Sequence, residues 1–330
     1  MSEKCSNHPT VQHFSILYGR FAFTLSAVKA AALPPYKGSM LRGILGHHFK
    51  ALACLDRKQR DCKECTSKPQ CAYSYVFETT RHSIGANGKS LHLYTPHPFI
   101  IQPPLDSKTE YGPGESLTFI LVLLGRGLHF LPHFIASFDL ASRKGLGMNR
   151  VPFRLLHVEQ LLPGLSRPIW KEGMTLTGIP VEERLEINPG SQQNSKTIDL
   201  RLLTPLRLMI KGKPSRDLSF LTLMKSVFRR LDLLDHAYGS GTFEPDYSGY
   251  LSRAEQVEVA TSDLFWHHWK RYSNRQKKKL YLGGLMGHVQ FHGDMLSEFL
   301  PYLALAEKVH LGKGTVYGMG QIQVETGQER

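Results

Sequence analysis

Apolar and polar residues alternate from residue 14 to 27, with Phe14, Ile16, Tyr18, Phe21 and Phe23 carrying the apolar positions, and this predicts a half-buried strand. Leu33-Pro34-Pro35 breaks the pattern. Apolar spacing then becomes helical, with Leu41, Ile44, Leu45, Phe49 and Leu52 recurring every three or four residues, so a helix is predicted over 39–52 with Ser39 as its N-cap. Strands are predicted at 73–77, 98–101, 117–124 and 152–158, and a helix over 130–142 ending in Gly145-Leu146-Gly147. Proline and glycine mark 161–173 as a linker. Beyond it come strands at 176–187 and 199–210, and a helix over 218–238 that stacks Leu221, Met224, Val227, Phe228, Leu231 and Leu234 on one face. A basic stretch at 266–279, a strand at 281–291, a helix at 295–306, a glycine-rich segment and a strand at 321–325 complete the pattern.

Both halves end alike. Lys144-Gly145-Leu146-Gly147 leads to a strand ending Val158-Glu159, and Lys313-Gly314 through Gly318-Met319-Gly320 leads to one ending Val324-Glu325. The repetition predicts two similar α+β units, each an antiparallel sheet with helices on one face. The expected domains are 1–160, with a cysteine-rich insert at 54–71, and 175–330, with the glycine-rich loop at 312–320. A length of 330 residues suits about two domains.

Charge narrows the partners. Forty-one Lys and Arg against 28 Asp and Glu give a net +13, which favours a polyanion. The stretch 266–279 holds six cations and no acid, with Trp266, Trp269 and Tyr272 between them. Cations suit phosphates and aromatic rings suit bases, so Lys270, Arg271, Arg275 and Lys277 are candidate RNA contacts. In the segment Gly312, Lys313, Gly314, Thr315, Tyr317, Gly318 and Gly320, converging backbone N–H groups could cradle phosphate, with Lys313 adding charge and Tyr317 a stacking face. A nucleotide-binding P-loop is lacking, because the glycine needed upstream of Gly88-Lys89-Ser90 is Ser83, so a kinase or ATPase is not expected.

Cys54-x7-Cys62-x2-Cys65-x5-Cys71 crowds four thiols into 18 residues. That spacing predicts a closed structural zinc site, an iron–sulfur cluster being the less favoured filling. The longest apolar run, 119–124, is too short to span a bilayer, and the polar start is not a signal peptide, so no membrane partner and a cytoplasmic setting are expected.

Several blocks, in order, resemble the RAMP superfamily and in particular the CRISPR repeat-processing endoribonucleases. They are the 312–320 segment, the run Leu33-Pro34-Pro35-Tyr36-Lys37-Gly38-Ser39-Met40-Leu41-Arg42-Gly43, His97-Pro98-Phe99 with Tyr111-Gly112-Pro113-Gly114-Glu115, Gly145-Leu146-Gly147 with Arg150, Thr204-Pro205-Leu206-Arg207, and Leu282-Gly283-Gly284-Leu285-Met286-Gly287. The resemblance implies two tandem ferredoxin-like (RRM-like) domains that bind CRISPR repeat RNA and cleave it to crRNA without a catalytic cofactor. The ribose 2′-OH would attack the adjacent phosphate, leaving a 2′,3′-cyclic phosphate and a 5′-OH. An RNA-binding subunit of a CRISPR effector complex that does not cut is the alternative, and other CRISPR effector subunits are then partners.

Such chemistry needs a base, an acid and cations around the phosphate. The resemblance places active residues on the first helix, which offers His47, His48 and Lys50. At about 100° per residue His47 lies outside the apolar stripe and Lys50 on its polar side, whereas His48 falls inside the stripe, where core histidines sit. His47 is therefore the expected acid or base and Lys50 the phosphate contact, with His48 and Tyr36 as secondary catalytic candidates and Arg42 as an RNA contact.

Overall fold

The structure, a computed structural model, describes residues 13–56, 61–62, 64–79, 81–84, 90–93, 95–174, 178–188, 195–273 and 278–327. The first unit runs β1 (Ser15–Ala27), α1 (Gly38–Ala53), a short α2 (Ala72–Phe77), β2 (Phe99–Gln102), β3 (Ser116–Leu124), α3 (Leu131–Lys144) and β4 (Phe153–Leu162). Its strands pair antiparallel in the order β2-β3-β1-β4, and β5 (Leu165–Lys171) extends the sheet beyond β4. A further strand, β6 (Glu183–Glu186), pairs with the start of β1.

The second unit repeats the scheme. It runs β7 (Thr197–Leu206), α4 (Phe220–Tyr238), α5 (Tyr247–Glu255), β8 (Glu258–His267), a hairpin of β9 (Lys270–Ser273) and β10 (Lys278–Tyr281), β11 (Gly284–His292), α6 (Leu300–Val309) and β12 (Ile322–Thr326). Its sheet order is β8-β11-β7-β12, antiparallel throughout. Each sheet thus sets its second, third, first and fourth strands side by side, joined as β-α-β-β-α-β. That is the ferredoxin-like pattern, present twice.

Alternation along β1 sorts its residues onto two faces. Phe21, Phe23 and Leu25 join Leu41, Leu45 and Phe49 of α1 and Phe134 and Phe138 of α3 in one core. Phe14, Ile16 and Tyr18 point the other way, and with Ile100, Val122 and Leu124 they enter the core built by Leu223, Val227 and Leu231 of α4. The first sheet is therefore covered on both faces, which accounts for the unbroken apolar run of β3, since neither face of its latter half meets water.

Four expectations change. Residues 161–173 are not a linker: Leu162 pairs with Leu165 across Pro163-Gly164, so proline and glycine form the turn of the β4–β5 hairpin. The expected strand at 176–187 shrinks to β6, which belongs to the first sheet and so carries that sheet past residue 160; residues 175–177 lie outside the described set. The expected strand at 73–77 is α2, whose buried Val76 and Phe77 and partly buried Tyr73 follow helical spacing that the alternating aromatics disguise. Finally, α1 begins at Gly38, not after an N-cap at Ser39. Lys37 occupies the cap without a side-chain capping bond, and its buried ammonium meets Asp106 Oδ1 at 3.3 Å. A Cβ on Gly38 would lie 1.9 Å from the Tyr317 carbonyl oxygen, so only glycine admits that contact between the units.

Candidate active site and nucleic-acid interface

Helix α1 presents its chemistry at its C-terminal half. His47 is exposed and His48 half-buried, their rings edge to face at 4.9 Å. Burial lowers the His48 pKa below the ordinary imidazole value, and the neighbouring His47 and Lys144 add to the shift. Lys50 sets its ammonium 5.4 Å from the Tyr73 ring, on the side of the cysteine-rich insert. The structure thus brings the two histidines together, while Lys50 is engaged with α2.

Tyr36 stands at the other end of the helix. From the helix start at Gly38, just after it, nine residues at a rise of about 1.5 Å per residue put roughly 13 Å along the axis to His47. Its hydroxyl donates to the Tyr317 carbonyl at 2.8 Å, and its ring meets Trp269 edge to face at 4.6 Å. Burial drives its pKa far above the ordinary phenol value. These contacts make Tyr36 an anchor between units, too far from His47 to share a proton with it.

Arg42 lies along the helix rather than out from it. Its guanidinium covers the Phe77 ring at 4.7 Å and the Phe99 ring at 5.9 Å. Gly46, one turn on, makes room, since a Cβ there would lie 2.5 Å from Nη1. Nearby His97 pairs its Nδ1 with the Val76 carbonyl at 3.0 Å, and burial pushes its pKa down to about 4, with Arg42 and Arg230 contributing. Pro-flanked His97 gave no sign in the sequence of this interior position, because the groups burying it come from α1, α2 and α4.

The glycine-rich segment is largely a seam between the units. Gly314, Gly318 and Gly320 take positive φ. Thr315, Gly318 and Gly320 are buried, Gly314 and Tyr317 are half-buried, and only Gly312 and Lys313 are exposed. The Gly318 carbonyl accepts from Thr204 Oγ1 at 2.7 Å, and a Cβ on Gly318 would lie 2.5 Å from the Ile101 carbonyl oxygen of β2. Wholly buried His310 joins the same seam, with Gln102 Nε2 at 3.0 Å and the Met319 carbonyl at 3.1 Å, and burial lowers its pKa to about 3. Most of the expected phosphate cradle therefore faces protein backbone, and Gly312 and Lys313 are its exposed positions.

The basic stretch is the β9–β10 hairpin. Its base is fixed by Trp269 against Tyr36 and by Trp266, whose ring receives the Arg216 guanidinium at 5.2 Å. Lys270 and Arg271 lie on β9, whereas Arg275 and Lys277 lie outside the described residues.

Cys54, Cys62, Cys65 and Cys71 are reduced and line one small cavity with Asp56, Ser67, Lys68 and Ser74. Burial raises the Cys62 pKa, against an opposing pull from Lys50. Among the described residues, no three His, Cys, Asp or Glu side chains are arranged as an ion site, so the expected zinc site is not preformed. No helix among them is long and apolar enough to cross a membrane.

Residues 14–181 match the family model AF_1859_N, an N-terminal domain, and residues 200–322 match that of the CRISPR-associated endoribonuclease Cas6. No curated protein matches the chain. Among solved structures, a Cas6 product complex is similar at a TM-score of 0.56 and 16% identity, covering 93% of this chain and 100% of that one. Thermus thermophilus Cas6 is similar at 0.51 and 16%, covering 94% and 99%. A partial Cas6-RT-Cas1–Cas2 complex gives 0.56 and 13%, covering 94% of this chain and 46% of that one. The chain spans less than half the length of the Cas6-RT-Cas1–Cas2 chains, 46% and 29%. At these identities the structures establish a shared fold, and the family models add that the chain belongs to the AF_1859_N family, matched over residues 14–181, and that residues 200–322 resemble the CRISPR-associated endoribonuclease Cas6.

Proposed function

We propose that this chain cuts CRISPR repeat RNA by attack of a ribose 2′-OH on the adjacent phosphate, leaving a 2′,3′-cyclic phosphate and a 5′-OH. The observation that carries the reading is the exposed His47 imidazole on α1 of a twofold ferredoxin-like chain whose second half matches the Cas6 endoribonuclease. An imidazole can accept or donate a proton, as the attacking hydroxyl and the departing 5′-oxygen require. His48, whose pKa is lowered, is suited to accept a proton rather than to carry one at neutral pH. Lys313 and the β9–β10 hairpin supply the cations that hold the strand. A zinc ion on the four cysteines would be structural and take no part in the reaction.

Labelled repeat RNA and the purified chain in EDTA test this. Wild-type chain is expected to give one cut with a cyclic-phosphate end, and His47→Ala to cut at least ~100-fold more slowly in single turnover with RNA affinity retained. Wild-type rates in that variant would remove His47 from the chemistry. The engagement of Tyr36 with Tyr317 and of Lys50 with Tyr73 favours a second reading, an RNA-binding subunit of a CRISPR complex without cleavage. Tight binding with no product from wild-type chain would establish that reading instead.

A further inference from the structure

Between Cys54 and Cys71 the chain has almost nothing with which to build a core. The only Leu, Ile, Val, Met or aromatic residue in that interval is Leu55, which is 62% exposed. Among the described residues of that interval, regular structure is confined to one 3-10 turn, Lys68–Gln70, with no buried residue. Short segments lacking an apolar core are commonly held by a covalent or metal cross-link. The two outer cysteines sit where such a link would act: Cys54 is the C-cap of α1, and Cys71 is the N-cap of α2. Consecutive turns lead from Cys65 to Cys71, with Lys68 N–H donating to the Cys65 carbonyl at 3.1 Å and Cys71 N–H to that of Lys68 at 3.3 Å.

All four cysteines line the same small cavity, and the fifth cysteine of the chain, Cys5, is remote in sequence. No histidine lines that cavity, and the one carboxylate residue there is Asp56. Four thiols with such neighbours match the soft donor set of a closed tetrahedral site, and Lys68 lies at hand to offset its negative charge. Cys54 turns its thiol to the Asp56 carbonyl at 3.3 Å and Cys71 to the Ala53 carbonyl at 3.7 Å. Both are weak S–H contacts to nearby backbone. Rotation about the Cα–Cβ bonds releases them toward the cavity they line.

From this placement we infer that the 54–71 insert binds one zinc ion through Cys54, Cys62, Cys65 and Cys71, in a site assembled by the ion and serving to staple the end of α1 to the start of α2. Four S–H bonds give up their protons to solvent, and four Zn–S bonds replace them with no change in oxidation state. With all four positions taken by protein, the ion has no open coordination position and is structural. Its place is next to the helix end that carries Lys50, whose ring partner Tyr73 is on α2, so the staple fixes the relation of the two.

The test uses the full chain purified without added metal. Elemental analysis is expected to find one zinc per chain in wild type and in Cys5→Ser, and none in Cys62→Ser or Cys65→Ser. Apo wild-type chain titrated with Co2+ is expected to show thiolate-to-metal charge transfer and the intense visible bands of tetrahedral cobalt, saturating at one equivalent. Rapid reaction of all four thiols in protein as purified, with no zinc and no cobalt charge transfer, would overturn the inference. Iron with a visible sulfide-to-iron band would overturn the choice of metal. The cobalt titration needs only wild-type chain, so it holds should a variant fail to fold. RNA cleavage is not a readout here: a chain that cuts nothing and holds one zinc refutes the proposed reaction and leaves this site standing.

Discussion

Replacing Gly318 by alanine asks whether the glycine-rich segment is a seam or a ligand cradle. Gly318 has φ +84°, and an added Cβ would lie 2.4 Å from Pro103 Cδ and 2.5 Å from the Ile101 carbonyl oxygen, both in the other unit. Gly114 has the same φ of +84° with nothing within 4 Å of an added Cβ, and so isolates the backbone cost. A left-handed conformation costs an L-residue about 1–2 kcal/mol, partly offset by the stiffer unfolded chain, so Gly114→Ala is expected to lose about 1 kcal/mol. Gly318→Ala adds about 1–3 kcal/mol of overpacking against backbone and ring atoms that cannot swing away. If the segment shifts to relieve the clash, the 2.7 Å bond from Thr204 to the Gly318 carbonyl is lost as well, at about 1 kcal/mol. The two variants should therefore differ by about 2–4 kcal/mol in urea unfolding at equal m-value, with Gly318→Ala the weaker. Equal losses would refute the seam, since a loop free to receive phosphate would tolerate the methyl group at both positions.

Two further outcomes follow from the same geometry. Lys313→Ala, at one of the two exposed positions of the segment, is expected to weaken repeat-RNA binding and to lower the salt slope of log K by about 1, read from filter binding across a salt series; an unchanged slope would leave Lys313 outside the RNA path. Burial holds the folded-state pKa of His310 at about 3 and that of His97 at about 4, both below the ordinary 6.5. Their stability contribution is complete above pH 6.5 and declines as the pH falls toward 4, because the unfolded chain takes up protons that the folded chain refuses. Urea midpoints measured from pH 7 to pH 4.5 should fall, each histidine approaching a slope of about 1.4 kcal/mol per pH unit, and His310→Gln should flatten the curve; a flat wild-type profile would refute the burial.

What the sequence disclosed depended on how local the cause was. The helix expected over 218–238 is Phe220–Tyr238, because its apolar stripe and the Ser219 cap, which accepts from Thr222 N–H, lie within the segment itself. The echo between 144–147 and 313–320 falls at equivalent places in two units of matching sheet order. Pro163-Gly164 misled because a hairpin turn and a linker use the same residues, and only the pairing of Leu162 with Leu165 separates them. The glycines of 312–320 misled for a related reason. Glycine marks a close approach to the backbone without naming the visitor, and at Gly318 and Gly320 the visitors are carbonyls of Ile101 and Leu311. The exposure of His47 was legible because it follows from the register of an amphipathic helix, whereas the contacts of Tyr36 with Tyr317 and Trp269 and of Arg42 with Phe77 and Phe99 come from residues distant in sequence.

The placement of these partners carries a functional consequence. Helix α1 has a docking end, where Gly38 and Tyr36 meet Tyr317 and Trp269, and a chemical end, where His47 stands exposed. Trp269 belongs to the base of the basic hairpin, so among the described residues the hairpin is tied to the first unit through its contact with Tyr36 and the seam beside it. Groups that would hold RNA and the group that would cut it thus come from different units. No covalent feature near the site sets their separation. It depends on the glycines, His310 and Thr204 packing the 312–320 segment onto β2 and α1, which is why a methyl group on a buried glycine of that segment should be felt in cleavage as well as in stability.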